Sequence, residues 1–468
     1  MDGNSALRPS KDQENRSAAD SSTSAVGMSR QSLASAGRAW RPIRNVLSRR
    51  ESSMTSTGER VAGRKVPREA TATAMTTASH VLPTVTKPPA DADLPAPLIT
   101  ESRGLFGKRV TYDNPWAPGA TAKTVGDLFK VMTSKEGFGE SPTEEQAKEA
   151  LPMAEVELDD IARHGKNDPM RVTWIGHATL LLQIDGLNVL TDPMFSDRAS
   201  ANQMVGPKRF APPAMSVAEL PPIDVVLLSH NHYDHLDVGS VKAVGNDPLW
   251  IVPSGLTGVL SKMGVKHCVE LSWWEEVEVE GFAGAVRFAS TPAQHWSTRL
   301  VWDRNTSLWC GFAVTGSRER FFFAGDTAYC SVFGKIGERY GPFDLAALPI
   351  GAHEPAWFMK EQHCSPDEAV AIHQDLGAKR SFAVHWGTFP LAADRYADAP
   401  RELVEACRRR GIKSSEFTIV RHGESIVNDG RARRYKCLFG GDDDGDIVDD
   451  TAGDTAGGIV DDQRCYES

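Results

Sequence analysis

The chain has 468 residues, 40% hydrophobic and 24% charged side chains and a formal net charge of −10, a length that admits two or three domains of roughly 100 to 200 residues each. Residues 1–100 are mostly Ser, Thr, Ala, Arg and Pro, and residues 441–462 mostly Asp, Gly, Thr and Ala. Neither end buries enough apolar surface to offset its ordering entropy. Taking +5 for the first hundred residues and −9 for residues 441–468 from the total leaves about −6 for the middle, a balance that argues against a core gripping polyanionic nucleic acid.

Three regions follow: a disordered basic Ser/Thr/Pro-rich arm and linker over 1–100, a folded domain over 101–440, and an acidic disordered tail over 441–468. The folded part carries ten of the eleven tryptophans, enough for one large domain or two closely packed halves. Seven cysteines with no Cys-x-x-Cys pair fit a reduced, intracellular setting. No window reaches the roughly 18 consecutive apolar residues of a spanning helix, and the N-terminus lacks the apolar stretch of a secretory signal. Membrane contact is therefore expected to be peripheral.

In chain order, residues 28–70 hold nine arginines and three acids. Two readings compete, an organelle-targeting segment and a solvated arm. The arm is favoured, because acids already appear in the first 20 residues and Pro42 interrupts the best helix. Trp40, Ile43, Val46 and Leu47 lie at roughly helical spacing among those arginines, a pattern compatible with a weak membrane-surface element. The run from Val81 to Pro97 reads as a Pro-rich linker. Val125, Leu128, Phe129 and Met132 then fall at i, i+3, i+4, i+7, the spacing of one helix face.

From Arg171 the pattern becomes strand-like. Residues 171–184 and 187–191 flank the turn pair Asp185-Gly186, and 225–229 is a short β-branched run. Further apolar runs follow at 250–252, 285–290, 312–315, 320–324, 345–350 and 382–384, with helical segments near 365–377 and 400–410 between the later ones. This succession predicts packed sheets covered by helices, an α+β fold.

The decisive string is Ser229-His230-Asn231-His232-Tyr233-Asp234-His235-Leu236-Asp237. It packs three imidazoles and a carboxylate into six residues directly after a buried strand, where a strand end aims alternate side chains at one point. His and Asp are ligands of the borderline-soft zinc ion. One tetrahedral ion cannot use all four groups and stay open to substrate, so a second ion with further ligands is expected downstream. His295, Asp326 and His385 each stand just past an apolar strand and supply them. With Asp326 bridging, these seven groups make two sites of about four protein ligands each.

The pattern His-x-His-x-Asp-His, followed by His, Asp and His each closing a strand, resembles the metallo-β-lactamase superfamily. The resemblance implies an αββα sandwich with a binuclear zinc site along one edge. Gly176-His177-Ala178-Thr179, Leu190-Thr191-Asp192-Pro193, Gly206-Pro207-Lys208-Arg209-Phe210, Glu219-Leu220-Pro221-Pro222-Ile223-Asp224, Trp273-Trp274-Glu275-Glu276, Phe323-Ala324-Gly325-Asp326-Thr327 and Gly387-Thr388-Phe389 are closely similar to the family of N-acylphosphatidylethanolamine-hydrolysing phospholipases D. The likeness runs from about Asn114 to Ser425 and leaves both tails outside.

What the resemblance implies is two zinc ions, the first held by His230, His232 and His295, the second by Asp234, His235 and His385, with Asp326 between them. Asp234 would also help hold the attacking water. Tyr233 and His363 would contact the substrate phosphate. The reaction would release N-acylethanolamine and phosphatidate from a phospholipid at a membrane surface, in an intracellular, peripherally attached enzyme, with a homodimer expected. Another phosphodiester, including a nucleic acid cleaved by a nuclease, is the alternative substrate. A noncatalytic lipid sensor is disfavoured by the complete ligand set.

His353, in Gly351-Ala352-His353-Glu354-Pro355, departs from the family pattern, which has an aromatic hydroxyl there. His177 is expected to support a ligand or pack in the core, and Asp192 to orient a ligating histidine or cap a turn. Cys330 and Cys364 are expected to be inert packing. Val125 to Met132 and the loop from Gln203 to Phe210 are candidate walls of an apolar groove leading to the metals.

Overall fold

The computed structural model describes residues 82–87, 93–104, 107–124, 126–127, 130, 142–151, 153–300 and 302–429. The arginine-rich arm, the acidic tail and the stripe of Val125, Leu128, Phe129 and Met132 lie outside the described residues.

The strands in chain order are β1 (Val85–Thr86), β2 (Leu98–Gly104), β3 (Gly107–Asp113), β4 (Arg171–Gly176), β5 (Thr179–Ile184), β6 (Leu187–Thr191), β7 (Val225–Leu227), β8 (Leu249–Pro253) and β9 (Cys268–Leu271). They continue as β10 (Glu276–Gly281), β11 (Gly284–Thr291), β12 (Gly311–Thr315), β13 (Arg320–Phe323), β14 (Leu345–Pro349), β15 (Ser381–Val384), β16 (Phe417–Thr418) and β17 (Ser425–Val427). A seven-stranded sheet has the order β17-β4-β5-β6-β7-β8-β9, an eight-stranded sheet the order β1-β10-β11-β12-β13-β14-β15-β16, and β2 pairs with β3 alone.

The two sheets share one core. Trp174, Leu180 and Leu182 of the first belong to the same buried cluster as Phe288, Phe312 and Val314 of the second. The outer face of the seven-stranded sheet, with Ile175, Leu181, Leu190 and Val226, packs on Ile161, Val241 and Leu260 from helices Leu158–Arg163, Val238–Val244 and Thr257–Lys262. Helices Val332–Tyr340, Pro366–Asp375 and Asp398–Arg410 contribute Ile336, Val370 and Leu403 to the core that holds the eight-stranded sheet. Strands such as β5 and β14 are buried along their whole length, which is why they read as continuous apolar runs rather than alternating ones. The architecture is the αββα metallo-β-lactamase sandwich.

Two expectations change in detail, and one residue of the His/Asp string takes a role the sequence did not assign. The run 171–184 is two strands, because Gly176 at φ 143° and His177 at φ 55° turn the chain between β4 and β5, and the Trp174 indole N–H donates to the His177 carbonyl at 2.9 Å. The chain also joins the fold ahead of residue 101. Val85 lies opposite Val277 on β10, and Leu98 opens β2. Finally, the last carboxylate of the His/Asp string is a helix cap: Asp237 accepts from the backbone N–H of Ser240 at 2.9 Å, satisfying donors that a helix start leaves open.

The parallel strands β6, β7 and β8 end on one edge of their sheet, as β13, β14 and β15 do on theirs. Ligand-binding residues gather past the carboxyl ends of such strands. Asp192 follows β6, the His/Asp string follows β7, Asp326 follows β13, His385 follows β15, and His295 follows β11.

Candidate active site

Close backbone approach brings these segments together. Gly325, at φ 61°, sits where a Cβ would lie 2.6 Å from the Ser229 Cβ, so only glycine lets Asp326 approach the His230 strand end. His177, Asp192 and His385 are non-glycine residues at φ 55°, 33° and 59°. Such strained backbone persists where the surroundings over-determine it, and it concentrates at functional sites.

The seven expected ligands form one cluster, buried except for the partly buried His232. His230 Nε2 lies 2.9 Å and His295 Nε2 3.1 Å from His232 Nδ1. His235 Nε2 lies 3.3 Å from His385 Nε2. Asp326 stands between the two groups, 3.0 Å from His385 Nε2 and 3.2 Å from His235 Nε2 on one side, and 3.8 Å from both His230 Nε2 and His295 Nε2 on the other. Asp234 Oδ2 lies 3.3 Å from His235 Nε2 and 3.5 Å from His385 Nε2.

Partners behind the rings fix their tautomers. The Gln362 carbonyl, which can only accept, lies 2.7 Å from His295 Nδ1. The Asp192 carboxylate lies 2.7 Å from His235 Nδ1. The Ser229 hydroxyl donates to Asp192 at 2.5 Å and therefore accepts from His230 Nδ1 at 2.9 Å. In each ring Nδ1 thus carries a proton, and Nε2 is the nitrogen that points inward. Ring nitrogens facing one another and two carboxylates across about 3 Å have no neutral partner. His232 Nε2 and His385 Nδ1 also lack hydrogen-bond partners. Nitrogen and oxygen donors around a tetrahedral zinc at about 2.0–2.2 Å stand roughly 3.3 Å apart, so this donor set fits divalent cations well.

The electrostatics agree. Burial lowers His230 well below its ordinary value, His232 to about 4 and His295 to about 3, which keeps them neutral and able to ligate. Burial also opposes charge on His385, but Asp326 and Asp234 outweigh it and raise its pKa to about 9. His235 is raised well above its ordinary value by the same carboxylates against the same burial. Burial pushes Asp234 and Asp326 up, but His235 and the neighbouring rings outweigh it and hold both well below the usual carboxylate range. The pocket demands positive charge.

His177, expected to support a ligand or pack in the core, does face a site group. Its Nε2 is 2.9 Å from Asp234 Oδ2, and with Asp234, His235 and His385 it forms one of the groups whose donor atoms converge closely enough to hold an ion. Asp192 orients His235 through its carboxylate rather than capping a turn. His363 comes to 4.0 Å from Asp326 Oδ2, and burial lowers its pKa to about 3. Burial pushes the Cys330 thiol up to about 12, and Cys364 also rises well above its ordinary value for that reason, so both stay protonated.

A cleft of about 300 Å³ opens onto the cluster, floored by His232, Asp234, Asp326 and His363 and walled by Pro355, Phe358, Met359, Leu391 and Ala392. Tyr233 lines it, but its hydroxyl is engaged, donating to the Arg299 carbonyl at 2.7 Å. Gln203 to Phe210, expected as a wall, does not line the cleft; Ala199 does, and residues 203–206 are exposed. Sequence reasoning missed Arg299. Its guanidinium donates to the Asn231 and Leu236 carbonyls at 2.9 and 2.7 Å and lies 4.3 Å over the Tyr233 ring. A lone loop arginine carries no sequence signal for that role. The departing residue, His353, is buried and pairs with Glu402 Oε2 at 2.9 Å through Nε2.

Residues 187–386 match the beta-lactamase superfamily domain. The chain is 39% identical over 334 residues to N-acyl-phosphatidylethanolamine-hydrolyzing phospholipase D 1 of Caenorhabditis elegans, an alignment covering 67% of this chain and 91% of that one. The chain belongs to that phospholipase D family. A mitochondrial family member from Saccharomyces cerevisiae is 39% identical over 276 residues, with 56% of this chain and 58% of that one covered. A metal-dependent hydrolase from Methanopyrus kandleri is 31% identical over 261 residues, covering 55% of this chain and 99% of that one. Membership makes the chain an enzyme of the phosphodiester-hydrolysing type, a metal-dependent hydrolase whose His/Asp cluster suits a metal site. Among the described residues no helix is long and apolar enough to cross a membrane.

Proposed function

We propose that the chain is a zinc-dependent phospholipase D that hydrolyses N-acylphosphatidylethanolamine to N-acylethanolamine and phosphatidic acid at a membrane surface. The observation that carries this reading is the inward turn of the His230, His235 and His295 Nε2 atoms, enforced by acceptors behind the rings, toward Asp234 and Asp326. His230, His232 and His295 would hold one zinc and Asp234, His235 and His385 the other, with Asp326 serving both. Two such cations would supply Lewis acidity and an ionised water near neutral pH for in-line attack at phosphorus.

The chain's own groups do the rest. Asp234 accepts hydrogen bonds at the cleft floor and orients the nucleophile. His363, neutral and at the mouth of the cluster, offers a ring nitrogen to the substrate phosphate. Tyr233 narrows the same floor, its ring fixed by Arg299. The apolar wall formed by Phe358, Met359, Leu391 and Ala392 suits acyl chains, whose burial is favourable at about 0.8 kcal/mol per methylene. A substrate of that kind resides in a bilayer, so the enzyme works there as a peripheral protein, and by family analogy as a homodimer.

Metal analysis combined with mass spectrometry of the products tests site and substrate together. About two zinc ions per chain and release of N-acylethanolamine are expected. Metal at trace level overturns the site, and N-acylphosphatidylethanolamine left intact by a metal-loaded chain overturns the substrate.

A further inference from the structure

The large hydrophobic side chains left in water are unevenly distributed. Of eleven among the described residues, five sit on three segments that leave the cleft lining: Met204 (83% exposed) and Val205 (61%) on one loop, Leu300 (47%) and Trp302 (70%) on a second, and Trp357 (39%) on the short helix Ala356–Met359. Each segment starts from the lining. Ala199 precedes the first, Thr298 opens the second, and Trp357 lies between Pro355 and Phe358.

The loops are built to present these side chains. Gln203 exchanges hydrogen bonds with the Arg198 backbone at 3.0 and 2.9 Å, and Arg198 Nη1 donates to the Gly206 carbonyl at 2.6 Å. That closes the loop at its base and leaves Met204 and Val205 at the tip. In the second loop Asp303 accepts from the Thr298 hydroxyl and from the backbone N–H groups of Arg299 and Leu300, at 2.9, 2.9 and 2.8 Å. The second and third segments are linked around the mouth. Arg304 lies 4.1 Å over Trp296 and donates to the Thr121 hydroxyl at 3.3 Å, while Lys123 lies over Phe358 at 5.2 Å and Lys130 over Trp357 at 4.2 Å.

Separate protruding tips with two tryptophans, and lysines laid along aromatic faces, suit one class of partner. Tryptophan prefers the headgroup level of a bilayer, and a lysine can bury its stem while its ammonium reaches phosphates. A protein partner would instead meet a continuous, closely complementary patch. We infer that these three rim segments are the membrane-docking surface of the enzyme, inserting Met204, Val205, Leu300, Trp302 and Trp357 into the interface of a phospholipid bilayer and seating the cleft mouth on it. The inference rests on the lipid-hydrolase reading for the cleft's contents, but its test does not need turnover of that lipid.

The metal-loaded full chain is sedimented with extruded phosphatidylcholine/phosphatidylserine vesicles, alongside Met204→Glu/Val205→Glu, Trp302→Glu and, as a control at the exposed β10–β11 turn beside Gly186, Phe282→Glu. Each rim variant is expected to weaken vesicle binding about tenfold or more, while Phe282→Glu binds as the parent does. Hydrolysis of soluble bis(4-nitrophenyl) phosphate stays within about twofold in all of them, reporting an intact cluster. Rim variants that sediment like the parent overturn the inference, as does a control that weakens binding equally. A parent chain that stays in the supernatant overturns it too and turns the surface toward a protein partner. If N-acylphosphatidylethanolamine is not hydrolysed while the rim variants still lose vesicle binding, the docking surface stands and the proposed substrate falls.

Discussion

The floor and the wall of the cleft are built on different principles. On the floor, three of the inward-facing rings are held from behind, His235 and His230 by the strand-end groups Asp192 after β6 and Ser229 after β7, and His295 by the Gln362 carbonyl just ahead of helix Pro366–Asp375. The wall is made of loops tied by local side-chain bonds. Asp394 accepts from the Ala352 and Glu354 backbone N–H groups at 3.0 and 3.2 Å, Arg299 clasps the Tyr233 turn, and His353 pairs with Glu402. Rigid strands can fix several donors within tenths of an ångström, as ion binding demands. Loops change more easily, and they decide which molecule reaches the floor.

The sharpest way to break this contrast is at the shared group of the floor. Asp326→Ala is expected to lose metal and to reduce activity by about a thousandfold or more, measured by elemental analysis and turnover. A variant that keeps both its metal and its rate would refute the role given to Asp326. One step further from the chemistry, Asp192→Ala removes the acceptor behind His235 and should cost roughly 10–100-fold in metal affinity or activity. Asp192→Asn, which keeps one acceptor oxygen, should recover part of that loss in a metal titration.

Wall substitutions should act on substrate more than on metal. Arg299→Met frees the Asn231 and Leu236 carbonyls and the Tyr233 ring, and is expected to raise KM about tenfold, since hydrogen bonds from a charged donor contribute about 1.5–3 kcal/mol, with zinc content unchanged. A matching loss of zinc would mean that Arg299 belongs to the floor.

The smallest effect concerns His353. Burial opposes its charge, yet Glu402, Asp394 and Glu354 outweigh that and raise its pKa above 6.5. The folded chain therefore holds this proton more tightly than the unfolded one. The stabilisation is full below the unfolded value near 6.5 and fades as pH rises through the higher folded value. Because Glu402 is half exposed, the gain is at most about 1 kcal/mol. Thermal melts of the parent and of His353→Gln should differ most at mildly acidic pH and converge as pH rises; an equal gap at every pH would exclude the ion pair as its source.

The floor was legible in the sequence because its chemistry is unusual for a strand end. Three histidines and an aspartate within His230 to His235, then His295, Asp326 and His385 each closing an apolar run, are the groups that the structure gathers into a cluster fitting a metal site. The strands around it were legible for a related reason: runs such as Phe321 to Phe323 and Leu345 to Pro349 are buried on both faces. The turn inside 171–184 was hidden, because Gly176 and His177 break the strand by backbone conformation rather than by a recognised turn pair.

What the sequence determined by itself, then, is the set of donor groups, the layered fold and the family, since each rests on residue type and local spacing. Only the tertiary structure decided which nitrogen of each ring faces inward, that Arg299 clasps the Tyr233 turn, and that the segments carrying Met204, Trp302 and Trp357 leave the lining of one cleft. These are relations between residues tens to hundreds of positions apart. Their energy comes from desolvated contacts that exist only once the sheets have packed.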